Sequence, residues 1–147
     1  MTTPTFEVGA VLTGPARPIT AQRAGWYSIG IFSAATGAPH EIQSNIHTDD
    51  EYARSQGFPA AIADGMHSTN WVSALLGATF GAHYVSTGRL RTRFVKPTLL
   101  GVPLTAKARV TERSEQPDGV HYELDVWVED PDGTQLTVGD AAVVVGE

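Results

Sequence analysis

The feature that most restricts this chain is a period-two alternation through its second half, interrupted by two turns built on proline, aspartate and glycine. Leu104, Ala106, Ala108 and Val110 alternate with Thr105, Lys107, Arg109 and Thr111, and Tyr122, Leu124, Val126 and Val128 resume the pattern later. Successive side chains of a strand point to opposite faces, so such runs predict strands with one face on a core. Proline fixes φ and glycine tolerates positive φ, which makes Gln116-Pro117-Asp118-Gly119 and Asp130-Pro131-Asp132-Gly133 strong turns. Arg89 to Val95 also alternates, with Leu90, Thr92 and Phe94 opposite Arg89, Arg91 and Arg93. Thr134 to Val145 forms the closing strand. An antiparallel meander is expected here, with Pro97 to Pro103 as an interruption.

The first half carries helices. Phe6 to Thr13 reads as a first strand. Thr20 can cap a short helix, and Gly25 and Gly30 argue against a long one. Thr48 reads as an N-cap, with Asp49, Asp50 and Glu51 complementing the helix dipole and Gly57 ending the helix. Asp64 can cap a further helix from Met66 to about Phe80. That helix is apolar or small almost all round and so belongs in an interior. One buried helix beside an antiparallel meander is an α+β arrangement.

At 147 residues the chain is expected to form a single domain, residues 1–147. A hydrophobic share of 41% and a charged share of 18% are ordinary for a globular protein. The formal charge of −6 and the lack of a basic run argue against nucleic acid as a partner. With no cysteine, disulfides, thiolate catalysis and cysteine-based metal sites are excluded. Met1-Thr2-Thr3-Pro4-Thr5 has no basic and apolar leader pattern, and the apolar stretches are too short for a bilayer, so no membrane association and a cytoplasmic location are expected.

Between the halves lie Ile42-Gln43-Ser44-Asn45-Ile46-His47, then Ala-Arg-Ser-Gln-Gly-Phe over Ala53 to Phe58, then Ile62-Ala63-Asp64-Gly65-Met66. This succession resembles the MaoC-like dehydratase and hydratase branch of the hot-dog fold, in which D-x-N-P-[IV]-H is followed by A-x-x-x-G-[FY] and I-A-H-G-M. The resemblance runs from roughly Ile19 to Leu104 and is most specific at His47, Ala53, Gly57, Gly65 and Met66. It implies an antiparallel β-sheet wrapped around a long central helix, assembly as a homodimer or higher, and no cofactor. It also implies a small-molecule acyl thioester substrate carried by coenzyme A or an acyl carrier protein. The family's catalytic aspartate falls on Ile42, its asparagine on Ser44, its proline on Asn45, and the histidine of its last motif on Asp64.

His47 stands at the family's catalytic histidine, and an imidazole can both accept and give a proton in the neutral range, which suits movement of the α-proton; a structural loop histidine bonded to a carbonyl is the alternative. In the family, the backbone amide at Gly65 holds the thioester oxygen, and a glycine at a helix start lets a carbonyl approach closely. Asp64 can cap the helix, bond His47 or take over acid/base work. Asn45, Glu41, Met66, His67 and Asn70 are the candidates for binding substrate; Glu41 is the nearest carboxylate upstream of His47. His40, His47 and His67 match no recognised ligand spacing, so no metal is expected. Arg89, Arg91 and Arg93 form a stripe that suits either carrier phosphates or solvent. The expected function is hydration or dehydration of an α,β-unsaturated or 3-hydroxyacyl thioester. The alternatives are a repurposed cyclase or isomerase in polyketide-type biosynthesis and a catalytically silent acyl-binding module.

Overall fold

The computed structural model describes residues 5–146; the start of the leader reading, residues 1–4, lies outside them. The elements run β1 (Val11–Thr13), β2 (Arg17–Pro18), α1 (Ala21–Thr36), α2 (Asp50–Ser55), α3 (Met66–Phe80), α4 (Ala82–Thr87), β3 (Arg89–Phe94), β4 (Pro103–Gln116), β5 (Gly119–Glu129) and β6 (Gln135–Val145). The chain forms two compact units, each drawn from separate stretches of sequence.

The first unit takes the described residues up to Ala16, Ser68–Lys96, and Leu104 onward. Its strands lie in the order β1-β4-β5-β6-β3, with neighbours antiparallel. The alternation reads through as expected: Leu104, Ala106, Ala108 and Val110 on β4 are buried, as are Tyr122, Leu124, Val126 and Val128 on β5. Removing each large side chain from water stabilises the fold by about 1.5–3 kcal/mol. Gly133, at φ 79°, closes the turn between β5 and β6 in a conformation that favours glycine.

Three expectations for this unit need correction. Only β4, β5 and β6 form a meander; β3 pairs with β6, because Pro97–Pro103 departs into the second unit instead of turning back as a hairpin. The first strand is Val11–Thr13 alone, since Gly9 at φ 92° and a bond from Ala10 N–H to Glu7 O bend the preceding chain. Helix α3 is not buried all round. Ser68, Trp71, Val72, Leu76 and Phe80 are buried, while Met66, Asn70, Ala74 and Ala78 form an exposed edge at four-residue spacing. Its first-unit stretch lies against the sheet: Thr69 and Thr92 hydroxyls are 2.8 Å apart, and the Phe80 ring is 5.6 Å from that of Tyr122. A helix along an antiparallel sheet is the α+β arrangement of the hot-dog fold. The short α4 went unforeseen.

The second unit comprises Arg17–His67 and Pro97–Pro103. Ile62 bridges Leu99, and Ala63 N–H donates to Thr98 O at 2.8 Å, so the segment leading into α3 is tied down by backbone bonds. Thr20 caps α1 as expected, its side chain accepting from Arg23 N–H, but α1 runs for 16 residues. Packing outweighs glycine's low propensity here, since Gly25 is buried where its missing side chain leaves room for Ile42. The N-cap of α2 is Asp49, not Thr48. The Asp49 carboxylate accepts from Glu51 and Tyr52 N–H, while the Thr48 hydroxyl is committed to Gln43 O and Asn45 N–H. Gly57, at φ 90°, follows α2 and lets the chain turn away.

Candidate active site

His47 lies on the loop between α1 and α2, two residues before the Asp49 cap. Its Nδ1 is 2.8 Å from Ile62 O. A carbonyl oxygen only accepts, so Nδ1 carries the proton and the neutral ring presents a lone pair at Nε2. The carbonyl-bonded histidine foreseen as the alternative is therefore present, and it fixes the tautomer a general base needs. Nε2 is 4.0 Å from Asp64 Oδ2, with the two side chains 25% and 27% exposed. This gap exceeds a hydrogen bond, yet one oxygen at about 2.8 Å can touch both atoms.

Asp64 divides its oxygens. Oδ1 accepts from Met66 N–H at 2.9 Å, capping the start of α3, and Oδ2 turns toward His47. The Asp64 carbonyl accepts from His67 N–H. Gly65 N–H stands at the helix start beside these bonds, with no acceptor among the described residues. A base at His47, a carboxylate at Asp64 and a free N–H at Gly65 can together move a proton and polarise a carbonyl.

The other residues read from the sequence fare differently. Asn45 Oδ1 accepts from His47 N–H at 2.8 Å, and its Nδ2 donates to Ser28 Oγ at 3.0 Å. Met66 is 42% exposed at the start of α3. The His67 ring packs 4.4 Å from that of Tyr27, and its Nε2 is buried without a partner. Burial lowers the His67 pKa; Asp64 opposes this shift, and Arg23 and His47 add to it. Glu41 is exposed and makes no hydrogen bond to His47 among the described residues, and His40 instead contacts the Thr36 hydroxyl at 2.6 Å. Asn70 is exposed on α3 in the first unit. Ile42, 53% exposed, rests its Cδ1 against Gly25.

Sequence reasoning missed Tyr27 and Ser28. Both sit on α1, read from the sequence as a short helix capped by Thr20, and no periodicity marks a serine that receives an asparagine amide 17 positions later. The arginine stripe splits: Arg89 approaches Glu123 at 3.6 Å, while Arg91 and Arg93 line a cavity of about 620 Å³ with Arg109, Trp127, Asp125 and Asp140. The two carboxylates offset most of the positive charge, so this cavity is not a strong anion site.

The model of the MaoC like domain matches residues 40–130, more than half of the chain. No curated protein matches the sequence. Among solved structures, the R-hydratase PhaJ1 from Pseudomonas aeruginosa superposes with a TM-score of 0.70 at 24% identity, covering 97% of this chain and 83% of the other. The MaoC-like dehydratase from Rhodospirillum rubrum gives 0.73 at 19%, covering 97% and 94%. An (R)-hydratase from A. caviae involved in PHA biosynthesis gives 0.69 at 21%, covering 96% and 98%. At these identities the likeness speaks to the fold. Among the described residues, no helix is long and apolar enough to cross a membrane.

Proposed function

The chain belongs to the MaoC-like domain family, and from that premise we propose that it hydrates α,β-unsaturated acyl thioesters, or dehydrates 3-hydroxyacyl thioesters, carried by coenzyme A or an acyl carrier protein. The observation that carries this reading is the His47 ring. It is bonded through Nδ1 to Ile62 O and turns Nε2 toward Asp64, one residue before the Gly65 helix start.

In the hydration direction, His47 Nε2 and Asp64 hold a water molecule. Its oxygen bonds to Cβ as one water proton passes to Nε2, and the π-electron pair moves through Cα to the thioester oxygen, which accepts from Gly65 N–H. When the carbonyl reforms, Cα takes the proton from the His47 imidazolium. The sum is the addition of one water, with His47 returned to its neutral form. Asp64 stabilises the transient imidazolium.

The test is turnover of crotonyl and longer enoyl thioesters by the purified protein and by His47→Ala. His47→Ala should lower kcat/KM roughly a hundredfold or more while the protein stays folded. Equal turnover would remove His47 from the reaction. Ile42 favours a second reading, since an aliphatic group there cannot hold water: isomerisation or cyclisation, which needs one proton carrier. Rearrangement of a test substrate without net water uptake would select it. We also propose assembly as at least a dimer, because β3 ends the sheet order and leaves a backbone edge to cover. A stable monomer at micromolar concentration in sedimentation equilibrium would oppose this.

A further inference from the structure

We infer that Asn45, braced on Ser28, is the positioning residue that holds His47 opposite Asp64; this rests on the proposed role of His47 as proton carrier. The Asn45 amide has only one workable orientation. The His47 backbone N–H can only donate, so the atom it meets at 2.8 Å must be the amide oxygen. The amide nitrogen is thereby directed to Ser28 Oγ at 3.0 Å and Gln43 O at 3.3 Å. Ser28 is itself 8% exposed on α1, so the brace is anchored in a fixed wall and not on a mobile surface side chain.

A second fastening lies one turn away. Gly25 and Ser28 are three residues apart on α1 and so share a face, and they receive Ile42 and Asn45, three apart on the loop. A Cβ built at Gly25 would lie 2.9 Å from Ile42 Cδ1, so glycine makes the seat into which the isoleucine fits. The loop before His47 is thus held at two points, one apolar and one polar. Thr48 closes it from the other side, donating to Gln43 O and accepting from Asn45 N–H. Ile42 and Asn45 are two of the positions at which this chain departs from the family's loop pattern, and both departures serve attachment to α1. The position of Nε2 follows from this attachment: His47 is held by its backbone through Asn45 and by its ring through Ile62, and neither hold alone fixes the distance to Asp64.

The experiment compares Ser28→Ala, Asn45→Ala and the double variant with wild type on crotonyl-coenzyme A, with amide hydrogen exchange at His47 measured in parallel. Asn45→Ala should lower kcat by about 10- to 100-fold and leave KM within about twofold, the pattern of a misplaced reacting group. Ser28→Ala should lose a smaller share of kcat, and the double variant should be no slower than Asn45→Ala, because the two act as one brace. Exchange of the His47 amide should accelerate in every variant. Should Asn45→Ala fail to fold, Ser28→Ala, which removes only a hydroxyl, carries the same test. Unchanged His47 exchange, or losses that multiply in the double variant, would overturn the inference. Exchange requires no turnover, so it decides the brace even where His47→Ala keeps full activity and the proposed function falls.

Discussion

Each of the two units has its own kind of internal bonding. In the first, long strands bury one face each: Leu104, Val110, Leu124 and Val128 are at most 2% exposed, and the ladder between β5 and β6 pairs residues from Val120↔Val145 to Glu129↔Gln135. In the second, bonds from side chain to backbone fix the loops between the helices. Asp49 caps α2, Asp50 accepts from Ala61 N–H, Asn45 holds His47, and His47 holds Ile62. A buried face is made by many residues and tolerates little loss of volume. A polar brace is made by single atoms and sets where one group points. Changes in the first unit should therefore act on stability, and changes around His47 on activity.

Leu124→Ala should break the first unit most severely. Its side chain is 2% exposed, and such truncations cost about 2–5 kcal/mol through lost burial and the cavity left behind. A urea midpoint within error of wild type would mean that the face of β5 carries little of the fold. Asp64→Asn sharpens the contrast from the other side. The amide keeps an oxygen for Met66 N–H, so stability should change by no more than about 0.5 kcal/mol. Loss of the charge facing His47 should lower kcat by roughly tenfold, as expected for a missing partner of an acid/base group. A large fall in Tm with unchanged kcat would make Asp64 a cap and nothing more.

The smallest effect concerns pH. Burial, the largest cause, lowers the His67 pKa, so on acidification the unfolded chain takes up this proton before the folded one. Stability from this group is fully present above the usual histidine value of about 6.5 and is lost as pH falls below it toward the folded value. His67→Gln should show a shallower fall in urea midpoint between pH 7.5 and 5.5 than wild type. Parallel curves would remove His67 as a contributor.

The same contrast explains what the sequence made legible. The strands of β4 and β5 could be read because alternation repeats over many residues, and the turn at Asp130-Pro131-Asp132-Gly133 because proline fixes φ and glycine admits a positive φ. Pairing of β3 with β6 could not be read, since alternation reports a face and not a neighbour. At the proposed site, His47 and Gly65 were marked by their motif and Asp64 by its place before a helix, and His47 Nε2 lies 4.0 Å from Asp64 Oδ2. Ser28 and Tyr27 were hidden because their partners, Asn45 and His67, lie in distant segments. Asp49 replaces Thr48 as the cap of α2 because the Thr48 hydroxyl is already engaged, and aspartate is also the better cap of the two.

In the proposed reaction, His47 carries a proton between water and Cα. Hydration of a crotonyl thioester in deuterium oxide tests it most directly, with the product read by proton NMR for wild type and His47→Gln. Wild type should yield 3-hydroxybutyryl product with a single deuterium placed stereospecifically at C2, and His47→Gln should form this product at least about a hundredfold more slowly. Equal rates and equal labelling in the two proteins would contradict it.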